Sequence, residues 1–184
     1  MAFGVLFVCT GNVCRSPMAQ FLLHAAAGEA LTVTSAGMHA LVGEAMDPPS
    51  AAVLAERGID ASGHRARQFE IPMASHSDLV LTAERTHRDR ILTEAPTLYR
   101  RVFTMNEYAR LARPIEGAPL AEVVAAAAGR RGVAEVVADS ADDITDPFRG
   151  TVAQARAVAD QMRVVVHAVL ATLTRSTSGR PIAT

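Results

Sequence analysis

The run Val5-Leu6-Phe7-Val8-Cys9-Thr10-Gly11-Asn12-Val13-Cys14-Arg15-Ser16-Pro17-Met18-Ala19 decides how the rest of the chain is read. Residues 3–8 are apolar on both faces, the pattern of a strand buried inside a parallel sheet. The strand ends in a cysteine, and a short polar loop leads to Pro17, which suits the first turn of a helix because its missing N–H costs nothing there. Cys9 and Arg15 have five residues between them, so the loop must curl to bring both side chains to one point. A bound phosphate suits that geometry. Loop amides would point inward, the helix would add the positive end of its dipole, and Arg15 would offer two parallel N–H donors. Gly11 permits backbone angles that other residues resist, and Asn12 tolerates the left-handed conformation. With no carboxylate nearby in sequence, Arg15 is expected to be free for a ligand. The same positive field favours the thiolate of Cys9, to which the Ser16 hydroxyl can donate.

A bare Cys-x5-Arg pair arises by chance. Here a buried strand, the cysteine, Gly-Asn in the loop, Arg-Ser and a helix-opening proline are met together. The expectation is a cysteine nucleophile attacking a phosphoryl group, with Thr10, Gly11, Asn12, Val13, Cys14 and Ser16 completing the phosphate-binding loop.

Outward from this loop, Met18, Phe21, Leu22 and Ala25 recur at helical spacing to about Ala27, with Gly28 as a stop. Further strands are read at 31–35, 79–82 and 101–104. Helices are read from Asp47 to Arg57 closed by Gly58, from Ala83 to Leu92 as a charged and exposed element, and from Met105 to Leu111. A long final helix carries Val158, Met162, Val165, Val166, Val169, Leu170 and Leu173 on one stripe. The alternation predicts one doubly wound α/β domain over residues 1–175, a four-stranded parallel sheet with helices on both faces. In such folds the site lies beyond the carboxyl ends of the strands, where Cys9 stands. Residues 112–141, rich in Ala, Val, Gly and Arg, read as an insertion with a short helix at 120–128 broken by Gly129 and Gly132. Residues 176–184 read as a flexible tail.

The bulk properties bound the function. With 184 residues, 49% of them hydrophobic and 20% charged, the chain has the composition of a globular protein with a full core. A formal net charge of −1 argues against a broad nucleic-acid footprint. Both cysteines sit in the opening loop, which excludes a secreted-type disulfide framework. No run approaches the ~20 apolar residues of a membrane span, and no positive segment precedes the first strand, so a cytoplasmic location without a membrane partner is expected. The six histidines are scattered and show no zinc spacing; no metal and no cofactor are expected. The oligomeric state is not legible.

The stretch from Val8 to Ala19 resembles the signature of the low-molecular-weight protein-tyrosine phosphatases. The likeness continues in Ser35-Ala36-Gly37, Ser62-Gly63-His64-Arg65-Ala66-Arg67-Gln68, Asp78-Leu79-Val80-Leu81 and Asp146-Pro147-Phe148, covering most of the chain apart from 112–141 and the tail. The leaving oxygen of a phosphoester needs a proton. Asp139, Asp142, Asp143 and Asp146 crowd one stretch, and composition does not choose among them. The resemblance implies Asp146, the acid of an Asp-Pro-aromatic motif. It also implies Phe148 at the pocket rim, where many relatives carry tyrosine, and His64 with Ser35 bracing Asn12. Cys14 lies close enough in sequence to pair reversibly with Cys9, which would shield it from overoxidation.

The implied substrate is a phosphorylated protein, with phosphotyrosine favoured. Protein-arginine phosphatases share this scaffold, and Val102-Phe103-Thr104-Met105-Asn106-Glu107-Tyr108 and the Asp-Pro-Phe motif resemble theirs. Their loop carries threonine where this chain has Val13, an apolar residue that suits tyrosine specificity better. An arsenate reductase using an external small thiol is a reading from a different class. The thioredoxin-coupled type needs further cysteines that are absent after Cys14, and Ser16-Pro17 fits phosphatases better. A phosphate-binding module without turnover is opposed by the joint presence of Cys9, Arg15 and Asp146.

Overall fold

The computed structural model describes residues 2–131, 133 and 139–176. Four strands, β1 (Phe3–Cys9), β2 (Leu31–Gly37), β3 (Leu79–Thr82) and β4 (Val102–Thr104), pair in the order β2-β1-β3-β4, all parallel. β1 is central, with Val5 opposite Val33 on one side and Leu79 on the other. Its apolar character on both faces follows from that position. Val5, Phe7 and Cys9 pack into one core, and Leu6 and Val8 into a second. Each such fully buried aliphatic or aromatic side chain contributes about 1.5–3 kcal/mol.

The helices are α1 (Arg15–Ala27), α2 (Pro48–Ala55), α3 (Ile71–Ser75), α4 (Arg85–Glu94), α5 (Met105–Leu111), α6 (Leu120–Gly129) and α7 (Val152–Ser176). α1, α2, α5, α6 and α7 supply the larger core, while Ala74 of α3 and Ile91 of α4 supply the smaller one. The sheet is therefore covered on both faces, the architecture read from the sequence. Gly28 (φ 55°) ends α1, and Gly58 (φ 74°) follows α2. α5 begins in a capping box: Thr104 Oγ1 accepts from the Glu107 N–H at 3.0 Å, and the Glu107 carboxylate accepts from the Thr104 N–H at 3.2 Å.

Some expectations hold and others shift. α1 starts at Arg15, two residues before the proline, so Pro17 lies in its first turn as expected; all those N–H groups lack intrahelical partners, and proline is tolerated. α3 was not anticipated. α4 is less exposed than its charge implies, because His87 and Ile91 are buried. Within 112–131, α6 buries Val123, Val124, Ala127 and Ala128. The alanine-rich patch is core, and small side chains let the helix approach closely. Gly132, most of residues 134–141 and the tail from 177 fall outside the described residues or nearly so: 132, 134–138 and 177–184 are not described. Val158, Met162, Val165, Val166 and Val169 of the α7 stripe are buried and Leu170 packs against them; the Leu173 side chain is not described.

Candidate active site

The loop between β1 and α1 spends its carbonyls outward. Cys9 O accepts from Met38 N (2.8 Å), Thr10 O from His39 N (2.9 Å), Gly11 O from Leu41 N (3.0 Å) and Val13 O from Asp47 N (2.9 Å). Cys14 O accepts from Met18 N at 3.0 Å, and Asn12 O lies 2.7 Å from His64 Nε2. With the carbonyls turned out, the amide edges turn in. None of the N–H groups from Gly11 to Ser16 bonds another of the described residues. That is an anion nest capped by the N-terminus of α1.

The left-handed residue is Asn12, at φ 56°, whereas Gly11 does not use its freedom. Asn12 is fully buried and its amide is saturated: Nδ2 donates to Ser16 Oγ and Ser35 Oγ, both 2.9 Å, and Oδ1 accepts from Arg67 N at 2.9 Å. These bonds, with the one from His64, offset the cost of the strained conformation. Burial, aided by Arg65 and Arg67, pulls the His64 pKa below the ordinary value, although its bond to Asn12 O opposes that shift. Gly37 matters for a reason the sequence did not show. A Cβ there would lie 2.6 Å from Thr10 O and 2.9 Å from Asn12 N, so the loop rests directly on glycine backbone.

Cys9 Sγ lies 3.0 Å from Ser16 Oγ, which is also 3.3 Å from Ala36 O. A thiolate at Cys9 draws the single Ser16 proton to itself; a thiol leaves it on Ala36 O. Cys14 is buried beside Asp47 and Ser50, and burial together with Asp47 pushes its thiol far up, so Cys14 stays protonated. Both cysteines are free.

Arg15 corrects one expectation. It is not free: Nη1 donates to Glu84 Oε1 and to Ile144 O (2.9 Å), and Nη2 to Asp146 Oδ2 (2.8 Å) and Thr10 Oγ1 (3.2 Å). The carboxylates come from distant segments, which proximity in sequence could not show. Only Nε, buried, has no partner. The crowded aspartates are separated by their partners. Asp142 pairs with Arg110 through both oxygens at 3.1 Å, and Asp143 accepts from Arg85 N at 2.7 Å. The Asp139 side chain is not described. Asp146 reaches Arg15, and its other oxygen accepts from Phe148 N at 3.2 Å.

Cys9, Thr10, Gly11, Val13, Cys14, Arg15, Asp146 and Phe148 line one cavity of about 150 Å³ with His39 and Leu41. Asn12 and Ser16, with Ser35 and His64 from other segments, do not line the cavity and hold the loop in shape from behind its lining. Glu84 and His87 escaped the sequence reading. Burial alone would raise the Glu84 carboxyl, but Arg15, His87 and Thr86 outweigh it and hold it below the usual range. Topology carried a signal for both: they directly follow β3, the neighbour of β1, at the carboxyl end of the sheet.

A family model described as low molecular weight phosphotyrosine protein phosphatase matches residues 4–116. The chain is 40% identical over 104 residues to the low molecular weight protein-tyrosine-phosphatase Wzb of Escherichia coli (strain K12), covering 56% of this chain and 70% of that protein. It is 30% identical over 166 residues to a protein-arginine-phosphatase of Geobacillus stearothermophilus, covering 90% of this chain and 93% of that one. Among solved structures, the YwlE arginine phosphatase from G. stearothermophilus matches with a TM-score of 0.74 at 27% identity, over 98% of this chain and 99% of that one. The Erwinia amylovora tyrosine phosphatase AmsI matches with a TM-score of 0.67 at 26% identity, over 95% and 93%.

Proposed function

This chain belongs to the low molecular weight phosphotyrosine protein phosphatase family, and from that premise we propose that it hydrolyses phosphotyrosine in proteins through a cysteinyl-phosphate intermediate. One observation carries the reading: the thiol and guanidinium of one loop and a carboxylate 131 residues further along the chain from that guanidinium line a single small cavity beneath an anion nest. Cys9 Sγ attacks phosphorus in line with the leaving oxygen, forming the S–P bond as the P–O bond breaks. Loop amides and Arg15 meet the equatorial oxygens. Asp146 gives its proton to the leaving oxygen, then takes one from the water that attacks the cysteinyl phosphate, releasing inorganic phosphate and restoring the thiolate. Ser16 supports the thiolate at each end of the cycle, and Asn12, Ser35 and His64 keep the loop in shape.

Val13, Leu41 and Phe148 form apolar walls that suit a phenyl ring. A second reading, a protein-arginine phosphatase, is favoured by the relative that aligns over nearly the whole chain. Parallel kinetics on phosphotyrosine and phosphoarginine peptides separate the two: the higher kcat/KM names the substrate. Cys9→Ser should abolish turnover with either, and a rate unaffected by that change would falsify the mechanism. We also infer a cytoplasmic setting, where the thiol stays reduced; no helix among the described residues is long and apolar enough to cross a membrane. Under peroxide Cys14 is proposed to pair with Cys9, and a Cys14→Ser variant that recovers as fully as the parent would remove that role.

A further inference from the structure

Thr10 lines the cavity beside Cys9, Arg15 and Asp146, and its hydroxyl is tied to a buried histidine on α4. Thr10 Oγ1 lies 3.2 Å from Arg15 Nη2 and 3.1 Å from His87 Nε2. A hydroxyl has two lone pairs and one proton, and a guanidinium only donates, so Arg15 takes one lone pair. The bond to His87 can run either way, and the rest of the ring decides which. His87 is 7% exposed, and its Nδ1 has no partner. Were Nε2 to accept from Thr10, the neutral ring would carry its proton on Nδ1, an N–H buried without an acceptor, which folded proteins rarely tolerate. With Nε2 donating, Nδ1 holds only a bare lone pair. Both lone pairs of Thr10 are then filled, and its proton must point elsewhere. No other described residue bonds Thr10 Oγ1, and Thr10 borders the cavity.

We propose that Thr10 is a catalytic residue whose hydroxyl proton is aimed at a bound phosphoryl oxygen, and that His87 is the positioning residue that aims it by donating from Nε2. The inference rests on the phosphatase reading above. The groups facing His87 fit this arrangement. Burial lowers its pKa; Glu84, Asp143 and Asp146 oppose that shift, and Arg15 reinforces it. The ring is neutral at pH 7. Protonation adds a proton at Nδ1 and keeps the Nε2–H, so the hydroxyl stays aimed in acid as well.

The test is calorimetric titration with inorganic phosphate, alongside kinetics on p-nitrophenyl phosphate. Thr10→Val should weaken phosphate binding by about tenfold or more, the usual worth of a hydrogen bond to a charged group. Thr10→Ser should stay within about twofold because it keeps the proton. His87→Leu should reproduce the Thr10→Val loss, His87→Gln should recover most of it through its amide donor, and the Thr10→Val/His87→Leu pair should be no worse than Thr10→Val alone. Thr10→Val binding phosphate like the parent overturns the proposal, as do losses that multiply in the pair. Should His87→Leu fail to fold, His87→Gln decides alone: near-parent affinity supports the inference, and a loss equal to Thr10→Val overturns it. A parent protein that binds phosphate but hydrolyses nothing defeats the phosphatase reading, while the titration still reads where Thr10 aims its proton.

Discussion

Two arginines, the buried Arg15 and the half-buried Arg131, each make four side-chain hydrogen bonds, yet they serve opposite ends. Arg131 uses every nitrogen: Nε and Nη2 hold Glu107, Nη1 holds Tyr99 O, and Nη2 also holds Val102 O. Its guanidinium carbon lies 4.6 Å from the centre of the Tyr99 ring and 4.1 Å from that of Phe103. With every nitrogen engaged, it is a rivet that fastens the chain after α6 to β4 and α5. Arg15 shares its Nη groups among Glu84, Ile144 O, Thr10 and Asp146, but leaves Nε without a partner at the edge of an anion nest. A structural arginine is complete by itself, whereas a ligand-binding one is oriented by the protein and completed by what it binds.

The sharpest way to break this comparison is to swap each arginine. Arg15→Lys keeps the charge near Glu84 and Asp146 but loses the planar fork. We expect kcat/KM to fall by about 10³-fold, on the scale of losing a preorganised donor to transition-state charge. Thermal unfolding should move little. Arg131→Ala should do the reverse. It strips Arg131 from Glu107, which is 5% exposed and keeps the Arg88 contact at 3.3 Å and the bond from Thr104 N at 3.2 Å. A loss of about 3 kcal/mol in denaturant unfolding is expected, at the low end for a broken buried pair because Arg88 remains. The folded variant should turn over p-nitrophenyl phosphate at close to the parent rate. Equal losses of activity in both variants would erase the distinction.

The same contrast shows what the sequence could reveal. The strand–loop–helix around Cys9 was legible because local pattern and local chemistry agree within a few residues: an apolar run, an asparagine that accepts the left-handed turn, and an arginine and a serine at the helix start. Asp146 was legible only through resemblance, because four aspartates compete in that stretch and only their distant partners separate them. Glu84 and His87 were hidden by the charges around them, which made α4 look exposed. Arg131 was hidden by composition. The alanines around it read as low complexity, and nothing local says that a helix of small residues closes the core beside β4. Long-range pairing is the common gap, since a partner some 70 or 130 residues away leaves no periodic trace.

Gly37 offers a finer test, because replacing it disturbs Arg15's loop without removing any polar group. Gly37→Ala places a methyl group 2.6 Å from Thr10 O and 2.9 Å from Asn12 N, both backbone atoms that cannot swing aside. The loop must shift, and a displacement of about 1 Å at a reacting centre costs on the order of 10²-fold in rate. We expect kcat to fall by roughly that factor, with phosphate binding weakened less. Gly129, at the end of α6, has nothing within 4 Å of an added Cβ, so Gly129→Ala should leave activity unchanged. If Gly37→Ala kept the parent kcat, the resting of the loop on this glycine would have no functional weight.

The smallest expected effect is one of pH, and it too divides the two regions. His64 and His87 both grip the Arg15 loop, and both have pKa values lowered chiefly by burial. An unfolded histidine takes up its proton near pH 6.5, while these two resist it until lower pH. Between those values the unfolded chain binds more protons, so stability falls as pH drops below about 6.5, and levels off once both folded histidines are charged. The slope is at most about 1.4 kcal/mol per pH unit for each histidine. Glu84 acts in a separate, more acidic window. Its folded pKa is lowered, so its contribution is present above the ordinary carboxylate value and is lost only as pH falls through the folded value. Hydrogen exchange followed from pH 7 to pH 5 should therefore show the amides that clasp the loop carbonyls, those of Met38, His39, Leu41 and Asp47, losing protection before those of α6, with His64→Gln removing part of the difference. Parallel loss in the two regions would mean that acid loosens the fold as a whole, and that the histidines do not set the local stability of the site.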